Sequence, residues 1–424
     1  MKMRLNTSDF VTAVKILNRI DSNKVLPILD SVCITQDGDK ARLTRTNLER
    51  TVNVFLPADI EWFGTIILPM KTVDLLKNLK DDYFELTEDE IITEKKRISF
   101  KGLAAEEYPE IKDQANQAFF ELTEQELNRM LEVKYCMCDH RPILSGVCFD
   151  GSNTIAIDSY RMSIRHGSYE SNVNKIVIDA KTIDLLDKVL DKKSNSLVKI
   201  FGKSYDNKDI QFVKFEFNRD NYIIEIIGKT IPGEYMNYKS FVPQDIETTI
   251  TVNSDEIFSE MEFMYKVSNR ENPDIVRFIA NEDKITLDGR ITETVYDKEA
   301  SREATRKAQH EAELEYRAAM DKYSMAQSST VKTKGRVKTK KPEQKTIKEI
   351  KIYKQEEINR IRSEVFADIQ GEKWEAAFNM KYVCEAFKQY DDTKLKLKAI
   401  SAIAPMVITP DGENLEMVLP VRMR

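Results

Sequence analysis

The feature that most constrains this chain is an internal repeat. Residues 68–79 (LPMKTVDLLKNL) and 178–189 (IDAKTIDLLDKV) are nearly copies of one another, and residues 378–390 (FNMKYVCEAFKQY) form a weaker third copy. Each copy predicts the end of a strand followed by a helix, because apolar residues recur at three- and four-residue spacing. Such self-similarity indicates one structural unit used several times in tandem.

A second set of segments repeats in the same order. Residues 6–10 (NTSDF), 123–127 (TEQEL) and 253–257 (NSDEI) each place a Thr or Asn before acidic residues. This is the chemistry of a helix start, where a side-chain oxygen accepts hydrogen bonds from free backbone N–H groups. Alternating runs such as residues 222–227 (YIIEII) predict strands. The sequence therefore predicts an α+β fold of three tandem modules, each with two helices packed on antiparallel sheets. The six predicted helices cover residues 8–20, 71–80, 123–136, 181–192, 254–268 and 379–390.

The third module is longer than the others. The interval between its two helices is 124 positions (257 to 381), against 61 in the first module (10 to 71) and 54 in the second (127 to 181). The excess of 63 to 70 positions, by subtraction, falls at about 298–365, where the composition becomes strongly charged. We predict an inserted helical hairpin with a flexible tip. The predicted domains are 1–117, 118–246 and 247–424.

The tip of this insertion is basic, with most of its cations between Lys332 and Lys345. One interpretation is a solvated loop without a partner, which is usual for such a composition. The alternative is an additional contact with DNA or with a protein partner.

The charge of the chain is unevenly placed. The 424 residues carry a formal net charge of −6, which argues against a uniformly basic nucleic-acid-binding protein. Each predicted helix nevertheless has Lys or Arg on its polar face. Taken singly, such a residue is an ordinary solvated charge on an amphipathic helix. If all the faces line one cavity, that cavity would contact phosphates weakly and without sequence preference. The residues predicted to face DNA are Lys15, Arg19, Lys24, Lys71, Lys77, Lys80, Arg129, Lys134, Arg141, Lys181, Lys188, Lys192, Lys266, Arg270, Lys381 and Lys388.

Other classes of protein are disfavoured. Five scattered cysteines indicate reduced thiols and a cytoplasmic protein, and no Cys/His spacing typical of a metal site accompanies them. The three histidines belong to no catalytic pattern, and the 13 glycines form no phosphate-binding loop. We therefore predict no catalytic residue, no metal, no cofactor, no secretion signal and no membrane span. A scaffold that binds only proteins remains an alternative, and it predicts no common basic face.

Seven motifs occur in the order typical of one family. They are LPIL (26–29), TNLE (46–49), EEYP (106–109), RPILSG (141–146), DSYRM (158–162), GEYMNY (233–238) and VLPVR (418–422). Together with the repeat, they resemble the β sliding clamp of bacterial DNA polymerase III over the whole chain except the insertion. The resemblance implies a non-enzymatic processivity factor that encircles double-stranded DNA as a closed, head-to-tail homodimer.

The resemblance also implies a peptide pocket between the second and third modules. Its partners would be the replicative DNA polymerase, the clamp loader and other proteins with a clamp-binding motif. Apolar walls would take the anchor of a short peptide, while polar groups such as Arg161 and Asn379 would fix the peptide backbone. The alternative is that these residues only pack a domain interface. The implied lining is Leu144, Ser159, Tyr160, Arg161, Met162, Met236, Phe241, Asn379, Tyr382, Ile403, Pro405, Met417, Val418, Leu419, Pro420, Val421, Arg422 and Met423.

The chain departs from the family pattern inside that implied pocket. Ser159 and Tyr160 stand where the family commonly has Gly-His, and Met236 stands where it often has Pro. Ser240 replaces a residue that is often basic. These departures leave the peptide preference of the pocket open.

Ring closure would require an edge strand of the first module to pair with an edge strand of the third module in another copy. The resemblance assigns one edge to basic residues 95–100 and the other to acidic residues 290–297. Opposite charges favour this pairing over self-pairing of like edges. The implied interface residues are Lys95, Arg97, Ile98, Phe100, Val267, Glu293 and Asp297.

Overall fold

The computed structural model describes residues 2–21, 26–62, 64–109, 115, 117–171, 175–205, 209–219, 221–268, 274–330, 340–343 and 347–422. The same order of elements occurs three times. We call these sets of elements the first, second and third repeats. Within the described ranges, no helix is both long and apolar enough to cross a membrane.

The first repeat runs from β1 to β9. Its elements are β1 (Lys2–Asn6), α1 (Thr7–Leu17), β2 (Ser31–Asp37), β3 (Lys40–Thr46), β4 (Arg50–Pro57), β5 (Asp59–Trp62), β6 (Thr65–Pro69), α2 (Met70–Leu76), β7 (Tyr83–Leu86), β8 (Glu90–Ile92) and β9 (Arg97–Ser99).

The second repeat runs from β10 to β17. Its elements are β10 (Gln117–Thr123), α3 (Glu124–Leu131), β11 (Gly146–Asp150), β12 (Asn153–Ile157), β13 (Arg161–His166), β14 (Ile176–Asp179), α4 (Ala180–Val189), β15 (Leu197–Tyr205), β16 (Asp209–Arg219) and β17 (Tyr222–Lys229).

The third repeat runs from β18 to β26 and contains an additional helix, α6. Its elements are β18 (Thr248–Asn253), α5 (Ser254–Val267), β19 (Ile275–Asn281), β20 (Lys284–Asp297), α6 (Lys298–Thr330), β21 (Ile352–Phe366), β22 (Asp368–Gly371), β23 (Trp374–Asn379), α7 (Met380–Phe387), β24 (Lys394–Ala399), β25 (Met406–Thr409) and β26 (Leu415–Val418). All strand pairs between these elements are antiparallel, so the predicted α+β class is confirmed.

The predicted helix starts are also correct. Asn6, Thr123 and Asn253 each accept hydrogen bonds from backbone N–H groups in the first turn of α1, α3 and α5. This satisfies donors that a helix start would otherwise leave unpaired. The predicted helix over 123–136 is shorter, because α3 ends at Leu131 and the chain continues as a 3₁₀ turn to Cys136.

The sheets connect the repeats. An eight-stranded sheet has the order β10-β15-β16-β17-β4-β3-β2-β6, so β17 of the second repeat pairs with β4 of the first. A nine-stranded sheet has the order β14-β11-β12-β13-β26-β25-β24-β18-β22, so β26 of the third repeat pairs with β13 of the second. At each junction, the last strand of one repeat thus extends a sheet of the repeat before it. Two smaller sheets remain at the ends of the chain, β5-β1-β7-β8-β9 and β21-β20-β19-β23.

This topology adds a strand to the predicted edge of the third repeat. Strand β20, which carries Glu293 and Asp297, pairs with β21 along its whole length and with β19 up to Arg290. The edge of that sheet is β21. Beyond Arg290, β20 has no other partner strand among the described residues, so Glu293 and Asp297 do lie at an open strand edge, and their part in a dimer interface stays a prediction. The sequence did not reveal that β21 is the edge strand of the sheet, because the insertion separates β20 from β21.

The insertion itself was only half correctly predicted. Residues 298–330 form helix α6, but residues 352–366 form strand β21 and not a second helix. Along β21, Ile361, Ser363 and Val365 are at least partly buried, while the residues between them are exposed. This two-residue period is that of a strand, and the high charge of its exposed face obscured it. Residues 331–339 and 344–345 of the basic tip lie outside the described residues.

A buried ion pair holds the junction of the second and third repeats. The Arg165 guanidinium on β13 lies 2.6 Å from the Glu416 carboxylate on β26, and these residues are 2% and 0% exposed. The Tyr135 hydroxyl donates to the other carboxylate oxygen. Burial raises the pKa of Glu416, while Arg165 and the hydrogen bonds oppose that rise. Glu416 therefore depends on Arg165 for its stability as a buried anion.

We expect Arg165→Met to destabilise the protein by about 3–5 kcal/mol, because it leaves the Glu416 carboxylate buried without its cation. Urea unfolding followed by circular dichroism measures this loss. The double variant R165M/E416L should recover most of it, since both charges are then absent. Lys266→Met is the control, because its partner Glu262 is also exposed and the pair contributes less than about 1 kcal/mol. Equal losses in the single and double variants would contradict the coupling.

Candidate nucleic-acid and peptide interfaces

The two helices of each repeat contact each other, as α1 with α2, α3 with α4 and α5 with α7. Depressions along the helices of the first and second repeats bring several predicted cations together. Lys15 and Lys80 line one depression, and Arg129 and Lys192 line another. Thus residues that are distant in sequence share a surface.

A third depression crosses the boundary between the first and second repeats. It brings Arg19, next to α1, together with Lys181 and Lys188 of α4. Arg50 also lines it, although it is not among the predicted residues. Arg50 is 5% exposed, and Glu49 and Asp179 neutralise its charge. The sequence signal for Arg50 was its position directly after the TNLE motif.

Many of the predicted cations are paired with acids. Six of them form ion pairs with a neighbouring carboxylate: Lys77, Arg129, Lys134, Lys192, Lys266 and Lys381. Asp187 holds both Lys134 and Lys192. Burial opposes ionisation of Asp187, but hydrogen bonds from these lysines outweigh it and keep its pKa below the ordinary value. Such cations attract phosphate less strongly than free ones do.

The other predicted cations form no ion pair with a described residue: Lys15, Arg19, Lys71, Lys80, Arg141, Lys181, Lys188 and Lys388. All of them are exposed. Arg141 precedes a 3₁₀ turn and lies outside the six helices. Lys24 and Arg270 lie outside the described residues. DNA contact by this set stays a prediction.

The predicted peptide pocket is organised around Arg161. Its Nε lies 2.8 Å from the Asp158 carboxylate, and its Nη2 donates to the Tyr135 carbonyl at 2.9 Å. Its Nη1 forms an ion pair with Glu385 of the third repeat. The guanidinium also stacks on the ring of Tyr382, 4.6 Å from the ring centre. Arg161 therefore joins the second and third repeats, and its partners Asp158, Glu385 and Tyr135 were missed by the sequence analysis.

The C-terminal segment completes this surface. The Leu419 N–H donates to the Tyr160 carbonyl at 2.8 Å, and the Val421 N–H donates to the Ala377 carbonyl at 2.7 Å. The Tyr160 and Tyr382 rings stack with their centres 5.7 Å apart. The segment is thus bound to the second and third repeats at once.

The predicted pocket residues divide by exposure. Tyr160, Phe241, Ile403 and Leu419 are exposed by 56%, 47%, 74% and 37%, although their side chains are large and apolar. By contrast, four residues are buried core: Leu144, Met162, Met417 and Val418. These four pack beneath the surface and are not accessible to a ligand in this structure.

The remaining predicted residues are mostly accessible. Asn379 caps α7 with its side-chain oxygen, so this atom is already engaged by the backbone. The partly or fully exposed residues are Ser159, Met236, Tyr382, Pro405, Pro420, Val421 and Arg422. Met423 lies outside the described residues. Of the accessible apolar residues, Tyr160, Tyr382 and Leu419 are the ones that these contacts tie to the polar centre at Arg161, and a peptide site here stays a prediction.

Comparisons with known proteins agree with this architecture. Residues 1–112 match the family of the DNA polymerase III beta subunit, N-terminal domain. The beta sliding clamp of Bacillus subtilis is 21% identical over 457 residues, with all of both chains covered. The beta sliding clamp of Streptococcus pneumoniae is also 21% identical, with 99% of this chain and 98% of that protein covered. The resemblance to the β sliding clamp family is therefore confirmed.

Solved structures share the fold over the full length of both chains. A putative DNA polymerase III beta subunit from Eubacterium rectale superposes with a TM-score of 0.74 at 16% identity. The sliding clamp of Bacillus subtilis gives 0.73 at 19% identity. A clamp from Bartonella birtlesii, solved bound to griselimycin, gives 0.71 at 18% identity. The chain thus has the β sliding clamp fold.

We expect Arg161→Lys to loosen the C-terminal segment. A lysine ammonium cannot engage Asp158, Glu385 and the Tyr135 carbonyl in the forked geometry of a guanidinium. Hydrogen exchange of the Leu419 N–H, which is bonded to the neighbouring Tyr160 carbonyl, should accelerate by about tenfold or more. Arg141→Lys, at an exposed position, is the control. Unchanged protection of Leu419 in R161K would show that Arg161 does not hold this segment.

Proposed function

We propose that the chain is a DNA sliding clamp, a ring subunit that encircles duplex DNA without sequence specificity and tethers a replicative polymerase to it. The observation that carries this proposal is the repeated junction between repeats. Twice, the last strand of one repeat extends a sheet of the repeat before it. A chain built by that rule is closed when a second copy supplies the missing partner at each end.

The open edges are the basis on which we propose that partner. Strand β9 is the last strand of the first repeat and lies at the edge of its sheet. Strand β21 corresponds in order to β4 and β13, and it also lies at an edge. By analogy with the two junctions within the chain, β9 of one copy pairs with β21 of another. Two such contacts in a head-to-tail homodimer close a ring of six repeats.

The side chains near these edges suit the pairing. The β9 edge bears Lys95 and Arg97, with Ile98 and Phe100 partly packed on the core. The β21 edge bears acidic residues, among them Glu364, and basic ones. Helix α5 packs beside β21 and exposes Val267 by 48%. An interface with an apolar centre and charged rim is thereby available.

The helix faces support a DNA-lined hole. Lys181, which forms no ion pair with a described residue, shares a depression with Arg50, whose charge Glu49 and Asp179 neutralise. A ring that moves along DNA requires this mixture, because its contacts with phosphates must not be strong enough to hold it at one place. No chemistry is required for this role, so we propose a non-enzymatic, cytoplasmic protein.

The surface around Arg161 is our proposed site for peptide segments of the polymerase, the clamp loader and other clamp-binding proteins. Its support lies in the contacts that place the exposed Tyr160 and Leu419 and the half-buried Tyr382 together beside Arg161, since clustered exposed apolar groups are typical of interaction sites. Phe241 and Ile403 are exposed as well, and we assign them to the same site. The clamp of Bartonella birtlesii was solved bound to griselimycin, and we propose that this chain can bind such a ligand as well.

We expect the wild-type protein, loaded by the clamp loader of its host, to remain on nicked circular DNA and to leave when the circle is cut. Arg19→Glu/Lys188→Glu should shorten retention and reduce the slope of log affinity against log salt by about 2, because each lost phosphate contact removes about 0.9. Lys239→Glu/Lys373→Glu makes the same charge change elsewhere and should have no such effect. A stable ring that never stays on circular DNA would favour the protein-only scaffold.

The peptide surface is tested by Phe241→Ser/Ile403→Ser. Both side chains are exposed, so folding should change by less than about 0.5 kcal/mol for each. Primer extension by the replicative polymerase of the host should give short products, while retention on circular DNA stays normal. The matched control is Leu197→Ser/Leu314→Ser, which removes exposed leucines elsewhere. Full-length products from F241S/I403S would exclude this surface as the tether.

A further inference from the structure

The hairpin of β20 and β21 continues past the sheet to which it belongs. Strand β19 pairs with β20 only as far as Arg290, which lies opposite Ile275. Beyond this point β20 pairs with β21 alone, from Thr292 opposite Glu357 to Asp297 opposite Ile352. We call residues 291–297 and 352–358 the seam ribbon. It is a two-stranded ribbon without a third strand among the described residues.

Among the described residues, no further strand pairs with the seam ribbon, although a two-stranded hairpin normally requires such packing to be stable. A two-stranded hairpin without a packed face is marginally stable in water, and an open strand edge attracts further pairing. Tyr353 and Ile358 on the ribbon are 55% and 51% exposed, and Tyr296 is 36% exposed. These are apolar groups that another surface could bury.

The ribbon is nevertheless held in one geometry by the base of α6. The Ile352 N–H donates to the Ser301 hydroxyl at 2.7 Å, and the Ile350 N–H donates to the Thr305 hydroxyl at 2.9 Å. The Tyr296 hydroxyl donates to Glu349 at 2.6 Å. An ordered ribbon loses little conformational freedom when it binds.

We propose that the seam ribbon binds the first repeat of a second copy of this chain, beside the β9–β21 contact. The inference rests on the ring of the proposed function. At the junction of the second and third repeats, the tip of the β12–β13 hairpin contacts the chain that follows the incoming strand, through the Tyr160 carbonyl and the Leu419 N–H. The seam ribbon occupies the place of that tip in the third repeat. Its neighbour is therefore the segment after β9.

That segment matches the ribbon in chemistry. Lys101 is exposed, and Leu103 is 39% exposed. If the antiparallel pairing of β9 and β21 continues beyond the end of β9, residues 101–103 of one copy lie opposite residues 356–360 of the other. Glu356 and Glu357 are exposed there, next to Ile358, and their ion pairs with Lys354 and Arg290 of the same hairpin are exposed too. The contact pairs a cation with two carboxylates and a leucine with an isoleucine.

Two deletions isolate the ribbon. The first joins Ile291 to Asn359 through Asn-Gly, a turn suited to a two-residue hairpin loop, and removes ribbon and helix together. The control joins Arg306 to Lys348 through a flexible Gly/Ser linker, so the ribbon keeps its contacts with Ser301, Thr305 and Glu349 and only the rest of the insertion is lost. Sedimentation equilibrium of the full-length and shortened proteins measures the dimer dissociation constant. We expect the first deletion to weaken the dimer by about tenfold or more and the control by less than about twofold.

A charge exchange tests the assigned neighbour. Glu356→Lys/Glu357→Lys should weaken the dimer, and adding Lys101→Glu in the same chain should restore much of the loss. Glu313→Lys/Glu315→Lys makes the same change on α6 away from the ribbon and should leave the dimer unaltered. If the wild-type protein and both shortened proteins form dimers with the same dissociation constant, the ribbon contact is overturned but the ring is not. A wild-type chain that is monomeric at every concentration would overturn the ring as well.

Discussion

Backbone pairing across the boundaries of the repeats is the interaction on which this architecture depends. Strand β17 pairs with β4 over six residue positions, and β26 pairs with β13 over four. Such pairing fixes both the distance and the rotation between adjacent repeats, because strands in a sheet have one spacing and a limited twist. Surfaces that span two repeats, such as the cleft of Arg19 and Lys181, exist only because this geometry is fixed.

The two junctions are stabilised differently. Between the first and second repeats, Asn53 donates to Glu225, and Glu225 also pairs with Lys214. Between the second and third repeats, Arg165 and Glu416 form a more deeply buried pair, and Arg161 adds its contacts with Asp158 and Glu385. Buried charges cost desolvation energy, so they stabilise a junction only when each keeps its partner. The proposed peptide surface is therefore built on a junction that requires correct polar pairing.

The basic helix faces show why charge cannot be assigned to function from single residues. Lys77 and Lys266 are neutralised by acids one helical turn away, whereas Lys15 and Lys188 are not paired within the described residues. The surface that results is of mixed charge. Such a surface suits mobile contact with a polyanion better than a uniformly positive one, whose phosphate contacts would be strong and highly salt-dependent.

The insertion shows what a local pattern can conceal. Helix α6 was predictable, because its Ala/Glu/Arg-rich composition favours a helix wherever it stands. Strand β21 was not predictable, because its charged residues resemble those of a helical surface. In addition, 54 residues separate the end of β20 at Asp297 from its partner Ile352 at the start of β21. For the same reason, the sequence did not reveal that Glu293 and Asp297 share a two-stranded ribbon with β21.

The sequence alone determined the repeat, the helix starts at Asn6, Thr123 and Asn253, and the α+β class, because these depend on neighbours within a few residues. Tertiary structure decided which strand forms the edge, which cations remain unpaired, and which pocket residues are buried. Met162 and Val418 illustrate the limit, since their motifs are local but their burial is set by the pairing of β13 with β26. Pairing between distant segments carries no local signature, so only the folded chain reveals it.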